Sequence, residues 1–243
     1  MRIALFGGTF DPVHLGHLAV ARAAADKFDL SRIYFAPADL PPHKQKRKLT
    51  DFQHRFAMLA LATAEDKRFV PSLLDAPSGV PNYSVETVRR LKGSLPKSDR
   101  LYFLIGMDAF KDISTWREPE RLLGECEFIV AARPGHSLGD AARALPEAIR
   151  PPEPALHALS KQHSGTIHLQ GATIHLLGEL RERVSSTQIR AATHKSVKQL
   201  SRYVPRVVAE YIKKEHLYSS LAESGGALRG KVLSLQRGQH QER

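Results

Sequence analysis

The segment GGTFDPVHLGH, residues 7 to 17, lies between two contrasting sequence patterns. The apolar run from Ile3 to Phe6 precedes it and is short enough to be a strand. After Pro12, apolar residues recur three or four positions apart, which is the spacing of a helix with one buried face. The segment therefore predicts a strand–turn–helix junction, where a parallel α/β sheet presents backbone N–H groups to a phosphate.

The composition of the 243-residue chain is that of an ordinary soluble globular protein, with 42% hydrophobic and 25% charged residues. This length accommodates one well-buried domain with a small appendage. The single cysteine, Cys126, excludes an intrachain disulfide framework and fits a reducing compartment. The chain has no run of about 18 apolar residues and no signal-peptide pattern. We therefore expect a cytoplasmic protein without a membrane partner.

The formal net charge of +11 has three explanations. They are general solubility, binding to nucleic acid, and a phosphate-rich substrate held in a cationic cleft. Charge alone does not separate them. The aromatic residues are not interleaved with basic residues as in a platform that stacks bases, which disfavours a nucleic-acid partner.

Strand-like and helix-like segments alternate along the first two-thirds of the chain. This alternation predicts an α/β fold, a Rossmann-like, doubly wound, mainly parallel sheet with right-handed crossovers, followed by C-terminal helices. The predicted strands are Ile3–Phe6, Ile33–Ala36, Phe69–Leu74 (weakened by Pro71), Leu101–Ile105 and Phe128–Ala132. The predicted helices begin after Pro12, at Thr50 or Asp51, at a cap formed by Ser84, near Glu118 and near Val204.

Residues 135 to 165 interrupt this alternation, since they are rich in Ala, Pro and His. They predict a surface insertion with one helix around Leu138 to Leu145. The repeat TIHL, at 166–169 and 173–176, flanks a glycine-containing gap and predicts a hairpin. We predict a single domain over residues 1–218 with an insertion at about 135–183, and a flexible tail at 219–243.

His168 and His175 occupy equivalent positions in the two repeats. We interpret them as cross-strand surface residues rather than metal ligands, because no cysteine or carboxylate cluster accompanies them.

His14 and His17 lie three residues apart at the start of the first predicted helix. Together with nearby backbone N–H groups they form a donor-rich anion site. The alternative is a pair of surface or capping histidines, but the position behind a strand and Gly7–Gly8 favours the anion site. The segment matches neither a G-x-G-x-x-G loop nor a P-loop, which disfavours hydride transfer and P-loop hydrolysis.

The segment VSSTQIR, residues 184 to 190, carries a second phosphate-binding pattern. Ser185, Ser186 and Thr187 predict a helix N-cap, with Arg190 on the first turn. Hydroxyls, N–H groups and a guanidinium at one helix start can clamp a phosphate. An ordinary capped helix is the alternative.

GGTFDPVHLGH resembles the signature of the nucleotidyltransferase superfamily that carries a T/HxGH motif, whose relatives include the class I aminoacyl-tRNA synthetases. The resemblance implies attack on the α-phosphate of a nucleoside triphosphate with release of pyrophosphate. VSSTQIR is similar to the ISSTxIR element that grips the triphosphate opposite the histidines, with Val184 in place of the usual isoleucine.

Further elements resemble one branch, the nicotinate (nicotinamide) mononucleotide adenylyltransferases. PPHK at 41–44 matches an element near the mononucleotide and triphosphate, and NYSVET at 82–87 is similar to SYTxxT. The helix start at Tyr83–Ser84 offers N–H groups that suit a carboxylate. Trp116, the only tryptophan, can stack on a pyridine ring, although a core tryptophan is the alternative. Arg117 follows it where the family often has an aromatic residue.

The resemblance implies transfer of AMP from ATP to nicotinic acid mononucleotide, giving deamido-NAD and pyrophosphate, as in NAD biosynthesis. It implies Mg²⁺ carried with ATP and no metal cage in the protein. The implied catalytic residues are His14, His17 and Arg190. The implied ATP-binding residues are Gly7, Gly8, Thr9, Phe10, His14, His17, Gly106, Asp108, Ser186, Thr187 and Arg190. The implied mononucleotide-binding residues are His43, Lys44, Tyr83, Ser84 and Trp116.

Adenylyltransferases that act on phosphopantetheine or on nicotinamide mononucleotide are the nearest alternatives. Trp116 and Tyr83–Ser84 count against a phosphopantetheine enzyme. They do little to distinguish an enzyme for nicotinamide mononucleotide from one for nicotinic acid mononucleotide. A cytidylyltransferase is less favoured, although it shares the HxGH chemistry. A tRNA synthetase is disfavoured because the chain shows no anticodon-binding domain and no KMSKS loop.

Overall fold

The computed structural model describes residues 1–41, 49–178 and 184–218. One seven-stranded sheet has the order β3-β2-β1-β4-β5-β7-β6. Its strands are β1 (Arg2–Gly8), β2 (Arg32–Pro37), β3 (Phe69–Pro71), β4 (Arg100–Gly106), β5 (Glu127–Ala131), β6 (Gly165–Leu169) and β7 (Ala172–Leu177). All pairings are parallel except that of β6 with β7, which is antiparallel.

Helices cover both faces of this sheet. They are α1 (Leu15–Phe28), α2 (Phe52–Thr63), α3 (Ser84–Ser94), α4 (Met107–Phe110), α5 (Pro119–Glu125), α6 (Leu138–Arg143), α7 (Glu153–Leu159), α8 (Ser186–Ala191), α9 (Val197–Leu200) and α10 (Arg206–Lys214). Short 3₁₀ turns lie at Ile113–Thr115 and Glu147–Ile149.

Alternate side chains of the central strands feed two separate cores. In β1, Ile3 and Leu5 pack on the face covered by α3 to α7, whereas Ala4 and Phe6 pack on the face covered by α1, α2 and α8 to α10. Because successive strand residues point to opposite faces, a strand that is apolar throughout must be covered on both sides. The predicted doubly wound, mainly parallel α/β fold with C-terminal helices is therefore confirmed.

Two local predictions are corrected. The third strand ends at Pro71 instead of Leu74, and the chain then turns outward, leaving Leu73 60% exposed. Proline has no N–H to donate to a sheet, so it suits the end of an edge strand. Helix α3 begins at Ser84, and its N-cap is Tyr83 rather than the predicted Ser84.

The prediction of a surface insertion is wrong for the apolar residues after position 135. Leu138, Leu145 and Leu156 are each at most 1% exposed and belong to the core on the α3 side. The predicted helix is present as α6, and α7 follows it. The composition did not reveal this core because much of the buried face of α6 consists of small residues such as Ala141 and Ala142, which pack closely in the interior. The domain boundaries stay a prediction, and the tail at 219–243 lies outside the described residues.

The predicted hairpin is confirmed as β6 and β7, but His175 is not a surface residue. Its side chain is 13% exposed, and its Nε2 lies 2.7 Å from the Glu127 carboxylate. His175 pairs across the hairpin with Thr166, whereas the exposed His168 pairs with Thr173. The difference arises because β7 lies between β5 and β6 and is therefore covered by neighbours.

Among the helices in the described ranges, none has the length and apolarity needed to cross a membrane.

Candidate active site

The loop after β1 is packed tightly by its own aromatic side chain. Phe10 has a left-handed backbone conformation, with φ 45°, and its side chain is 1% exposed. A Cβ atom on Gly8 would lie 3.3 Å from the Phe10 ring, which is closer than ordinary van der Waals contact. Glycine therefore allows the ring to fold back against the end of β1.

His14 and His17 cap helix α1 reciprocally. The Nδ1 atom of each ring accepts a hydrogen bond from the backbone N–H of the other residue, at 3.2 Å in both cases. The rings stack with their centroids 3.6 Å apart. Because both Nδ1 atoms accept, a neutral ring at either position carries its proton on Nε2. The pair therefore combines the capping role with two Nε2–H donors on adjacent rings.

Burial keeps His14 uncharged at neutral pH. Its pKa falls to about 4, chiefly because burial penalises the imidazolium, and the positive charge of Arg133 adds to this effect. Gly16 leaves room for the His14 ring, since a Cβ atom at position 16 would lie 3.1 Å from Nδ1 of His14. The small residue within the HLGH segment thus has a direct steric purpose.

The start of α8 docks on the loop that precedes the histidines. The Ser186 hydroxyl donates to the Pro12 carbonyl oxygen at 3.1 Å, although 174 positions separate them in the sequence. Arg190 donates to the Asp11 carbonyl oxygen at 2.5 Å and to the Thr187 hydroxyl at 2.9 Å. The two predicted phosphate-binding segments are therefore adjacent in the fold.

Arg55 is a buried residue that the sequence analysis did not single out. Its side chain is 1% exposed and donates to the carbonyl oxygens of Thr9, Ala38 and Thr50 at 2.9, 2.7 and 2.7 Å. Burial lowers its pKa, and nearby carboxylates oppose that shift. One guanidinium thereby joins the loops after β1 and β2 to the start of α2. The signal for it in the sequence is an arginine on the apolar face of that helix.

Tyr218 fastens the C-terminal end of the described chain to the same loop. Its hydroxyl donates to the buried Asp11 carboxylate at 2.8 Å, and its carbonyl oxygen accepts from the Thr193 hydroxyl at 3.2 Å. Burial raises the pKa of Tyr218, so the phenol stays protonated and keeps donating. The loop is consequently held from both α8 and the chain beyond α10.

A cavity of about 440 Å³ opens at the carboxyl ends of β1 and β4. The strand order reverses between these two strands, which makes this the topological switch point where α/β sheets bind ligands. Trp116 lies in its wall and meets Phe103 edge-on, with ring centroids 6.4 Å apart. The other residues used below that line it are Gly7, Gly8, Thr9, Asp75, Asn82, Tyr83, Ser84, Asp108, Asp112 and Arg117.

Three polar contacts involve residues that line this cavity. The Asn82 side-chain oxygen accepts from the backbone N–H groups of Asp39 and Leu40 at 3.0 and 2.8 Å. This ties the segment before α3 to the loop after β2. Asp108, another lining residue, is exposed and lies 3.8 Å from the guanidinium of Arg133.

A buried carboxylate lies in the wall behind α3. Asp75 accepts from the Thr87 hydroxyl at 2.6 Å and from Arg90 at 2.9 Å. Burial raises its pKa, and these two donors oppose that shift. The pair with Arg90 offsets the negative charge of Asp75 within the cavity wall.

The described part of the chain holds no group of three or more His, Cys, Asp and Glu side chains that could bind a metal ion together.

Residues 5–192 match the cytidylyltransferase-like family. The chain belongs to that family. A Geobacter sp. (strain M21) protein described as a probable nicotinate-nucleotide adenylyltransferase is 36% identical over 223 residues, which cover 90% of this chain and 98% of the relative. A Thermoanaerobacter sp. (strain X514) protein with the same description is 35% identical over 227 residues, covering 93% and 98%. The chain is accordingly an enzyme of the nucleotidyltransferase class, with nucleotides as substrates.

The fold of this nucleotidyltransferase is similar to that of the Plasmodium falciparum nicotinic acid mononucleotide adenylyltransferase, in structures complexed with NaAD and with APC. The first has a TM-score of 0.63 at 19% sequence identity and covers 89% of this chain and 97% of that one. The likeness supports the sheet topology described above.

The predicted site residues of this nucleotidyltransferase gather at one edge of the sheet. Gly7, Gly8, Thr9, Tyr83, Ser84, Asp108 and Trp116 line the cavity, and Gly106 ends β4 there. The chain from Gly8 to Phe10 joins the cavity to the histidine pair. His43 and Lys44 lie outside the described residues.

Sequence reasoning also missed Arg133, although a signal for it existed. It follows the predicted strand Phe128–Ala132, so it had to emerge at the same edge as Gly106.

Proposed function

We propose that this enzyme joins ATP and nicotinic acid mononucleotide to give deamido-NAD and pyrophosphate, with the residue roles that follow. The observation that carries the proposal is the cavity walled by Trp116 and Tyr83 at the switch point, joined through residues 7–10 to the stacked histidine pair. In this proposal the cavity holds the flat pyridine base, and the histidine pair contacts the reacting phosphate.

The mononucleotide occupies the cavity. Its pyridine ring stacks on Trp116, which buries a planar apolar surface. Its carboxylate faces the first turn of α3, where Tyr83 is the N-cap and backbone N–H groups favour an anion. Asp108, which lines the same cavity, accepts from ribose hydroxyls of bound nucleotide.

The reaction is an in-line displacement at the α-phosphorus of ATP. A phosphate oxygen of the mononucleotide forms the new P–O bond while the bond to the β,γ-diphosphate breaks and pyrophosphate leaves with that electron pair. The attacking oxygen is already ionised, so neither a protein general base nor a covalent intermediate is needed. Catalysis therefore consists of positioning and electrostatic stabilisation.

The histidines stabilise the charge that builds on the α-phosphate. His14 and His17 donate from Nε2, and the capping hydrogen bonds keep both rings in the tautomer that this requires. Thr187 and Arg190 hold the β,γ end of the triphosphate at the start of α8. Mg²⁺ bound to the phosphates of ATP would offset their charge, with no protein ligand required.

The same proposal includes the setting of the enzyme. We place it in the cytoplasm because its one cysteine, Cys126, fits a reducing compartment. We assign the positive charge to phosphate-rich substrates, with neither a nucleic acid nor a membrane as partner.

Pyrophosphate release from ATP with Mg²⁺ tests this function when nicotinic acid mononucleotide, its amide and phosphopantetheine are supplied in parallel. We expect release with the acid mononucleotide and formation of the dinucleotide. Activity with phosphopantetheine alone would retain the histidine chemistry but contradict the proposed acceptor. Release with none of the three would contradict the proposed function as a whole.

A further inference from the structure

Among the described residues that line the cavity, one carries a cationic side chain. Three carboxylates line the cavity, those of Asp75, Asp108 and Asp112, and Arg117 is the only lysine or arginine among its described lining residues. Arg90 and Arg133 lie against the first two carboxylates. The acid and amide mononucleotides differ only in the pyridine substituent, which is a carboxylate in one and a carboxamide in the other. A cation in this wall therefore bears directly on the choice between them.

Arg117 is held over the residue that caps the N-terminus of α3. Its guanidinium carbon lies 4.6 Å from the centroid of the Tyr83 ring, within the range of a cation–π contact. Tyr83 is the N-cap of α3, and Trp116 directly precedes Arg117 in the chain. The guanidinium, the pyridine-stacking ring and the N–H groups of the first turn therefore converge on one part of the cavity.

Glu118 forms a long ion pair with Arg117 and a shorter, hydrogen-bonded pair with Arg121. Glu118 accepts a hydrogen bond from Arg121 at 2.7 Å, whereas its distance to Nε of Arg117 is 3.7 Å, too long for a hydrogen bond. The hydrogen bond from Arg121 is the main reason that the pKa of Glu118 is lowered. The Arg117 side chain is also 53% exposed, so a ligand in the cavity can reach it.

We propose that Arg117 is a specificity residue that selects the acid over the amide mononucleotide by pairing with the pyridine carboxylate. The proposal rests on the proposed function. Backbone N–H groups alone can donate a hydrogen bond to either substituent, since both contain an acceptor oxygen. A guanidinium adds only donors, so it gains a charge-assisted pair with the carboxylate and leaves the carboxamide NH₂ facing other donors.

The test compares kcat/KM for the acid and amide mononucleotides in the wild type, Arg117→Gln and Arg117→Lys. We expect Arg117→Gln to lower kcat/KM for the acid about tenfold and to change that for the amide by less than about twofold, the size of one partly exposed ionic hydrogen bond. Arg117→Lys keeps the charge but loses the planar, two-pronged guanidinium, so its acid-to-amide selectivity should fall between that of the wild type and that of Arg117→Gln. Most of the change should fall on KM, because the pyridine end does not react.

Arg121→Gln is the matched control. Arg121 also pairs with Glu118 but lies outside the residues that line the cavity, so the acid-to-amide ratio of Arg121→Gln should equal that of the wild type. Titration of each variant with the acid mononucleotide alone, followed by the fluorescence of the single Trp116, measures binding without turnover.

Each result decides the matter. An acid-to-amide ratio in Arg117→Gln equal to that of the wild type overturns the proposal, as does an equal loss for both substrates, which would mark a structural role. A wild type that uses neither pyridine mononucleotide overturns the proposed function itself, which separates that failure from a failure of the specificity role.

Discussion

The substitution Gly16→Ala tests the geometry of the histidine pair directly. The added methyl group would lie 3.1 Å from Nδ1 and 3.2 Å from Cε1 of His14. These distances require the ring to move by a few tenths of an ångström, because ordinary contacts begin near 3.4 Å. His14 is 8% exposed and stacks on His17, so it has little space into which to move.

The expected effect of Gly16→Ala separates activity from stability. Alanine is favoured over glycine in helices by up to about 1 kcal/mol, which offsets part of the steric cost. Since a misplacement of about 1 Å can cost about 100-fold in rate, a shift of a few tenths of an ångström should lower kcat about tenfold. The melting temperature should change by no more than about 4 °C, the equivalent of about 1 kcal/mol in a domain of this size.

The measurement is steady-state pyrophosphate release, combined with thermal unfolding followed by tryptophan fluorescence. Gly93→Ala is the matched control, since Gly93 is also helical and a Cβ atom there meets no described atom within 4 Å. It should gain up to about 1 kcal/mol of stability and keep wild-type kcat. A Gly16→Ala enzyme with wild-type kcat would refute the argument that this glycine sets the position of His14.

Three further predictions concern individual side chains. His17→Ala should lower kcat by roughly 10²–10³ with a much smaller change in KM for ATP, and near-normal turnover in a folded variant would contradict its role. Arg55→Met should lower the free energy of unfolding in urea by about 3–5 kcal/mol because buried carbonyls lose their donor, whereas Arg68→Met, which breaks a partly exposed network, should cost about 1 kcal/mol or less. Equal losses would contradict the structural importance of Arg55. His14 has a folded-state pKa of about 4 against 6.5 when unfolded, so the unfolded chain binds a proton at higher pH than the folded chain does. The contribution of His14 to stability is therefore present above pH 6.5 and is lost as the pH falls towards 4. Urea unfolding across this window should show a steeper loss in the wild type than in His14→Asn, by about 3 kcal/mol in total, and parallel curves would contradict the burial argument.

Sequence patterns predicted the elements where local rules decide. The apolar runs of β1, β4 and β5 marked strands covered on both faces, and the glycine at the hairpin gap marked the turn between β6 and β7. The same rules failed where burial depends on a strand or side chain that is distant in the sequence. His175 was predicted to be exposed, because nothing near it in the sequence shows that β7 lies inside the sheet with Glu127 beside it.

The sequence by itself determined the strand–turn–helix junction at residues 7–17, the covered faces of the strands and the chemical identity of most candidate site residues. These features depend on side-chain periodicity, capping and glycine geometry, which act over a few residues. Only the tertiary structure decided that α8 docks on the Pro12 carbonyl, that Arg55 joins three segments, and that Arg117 lies over Tyr83. Those contacts join positions far apart along the chain, and they follow from the order of strands in the sheet and the packing of its helices, which no local pattern encodes.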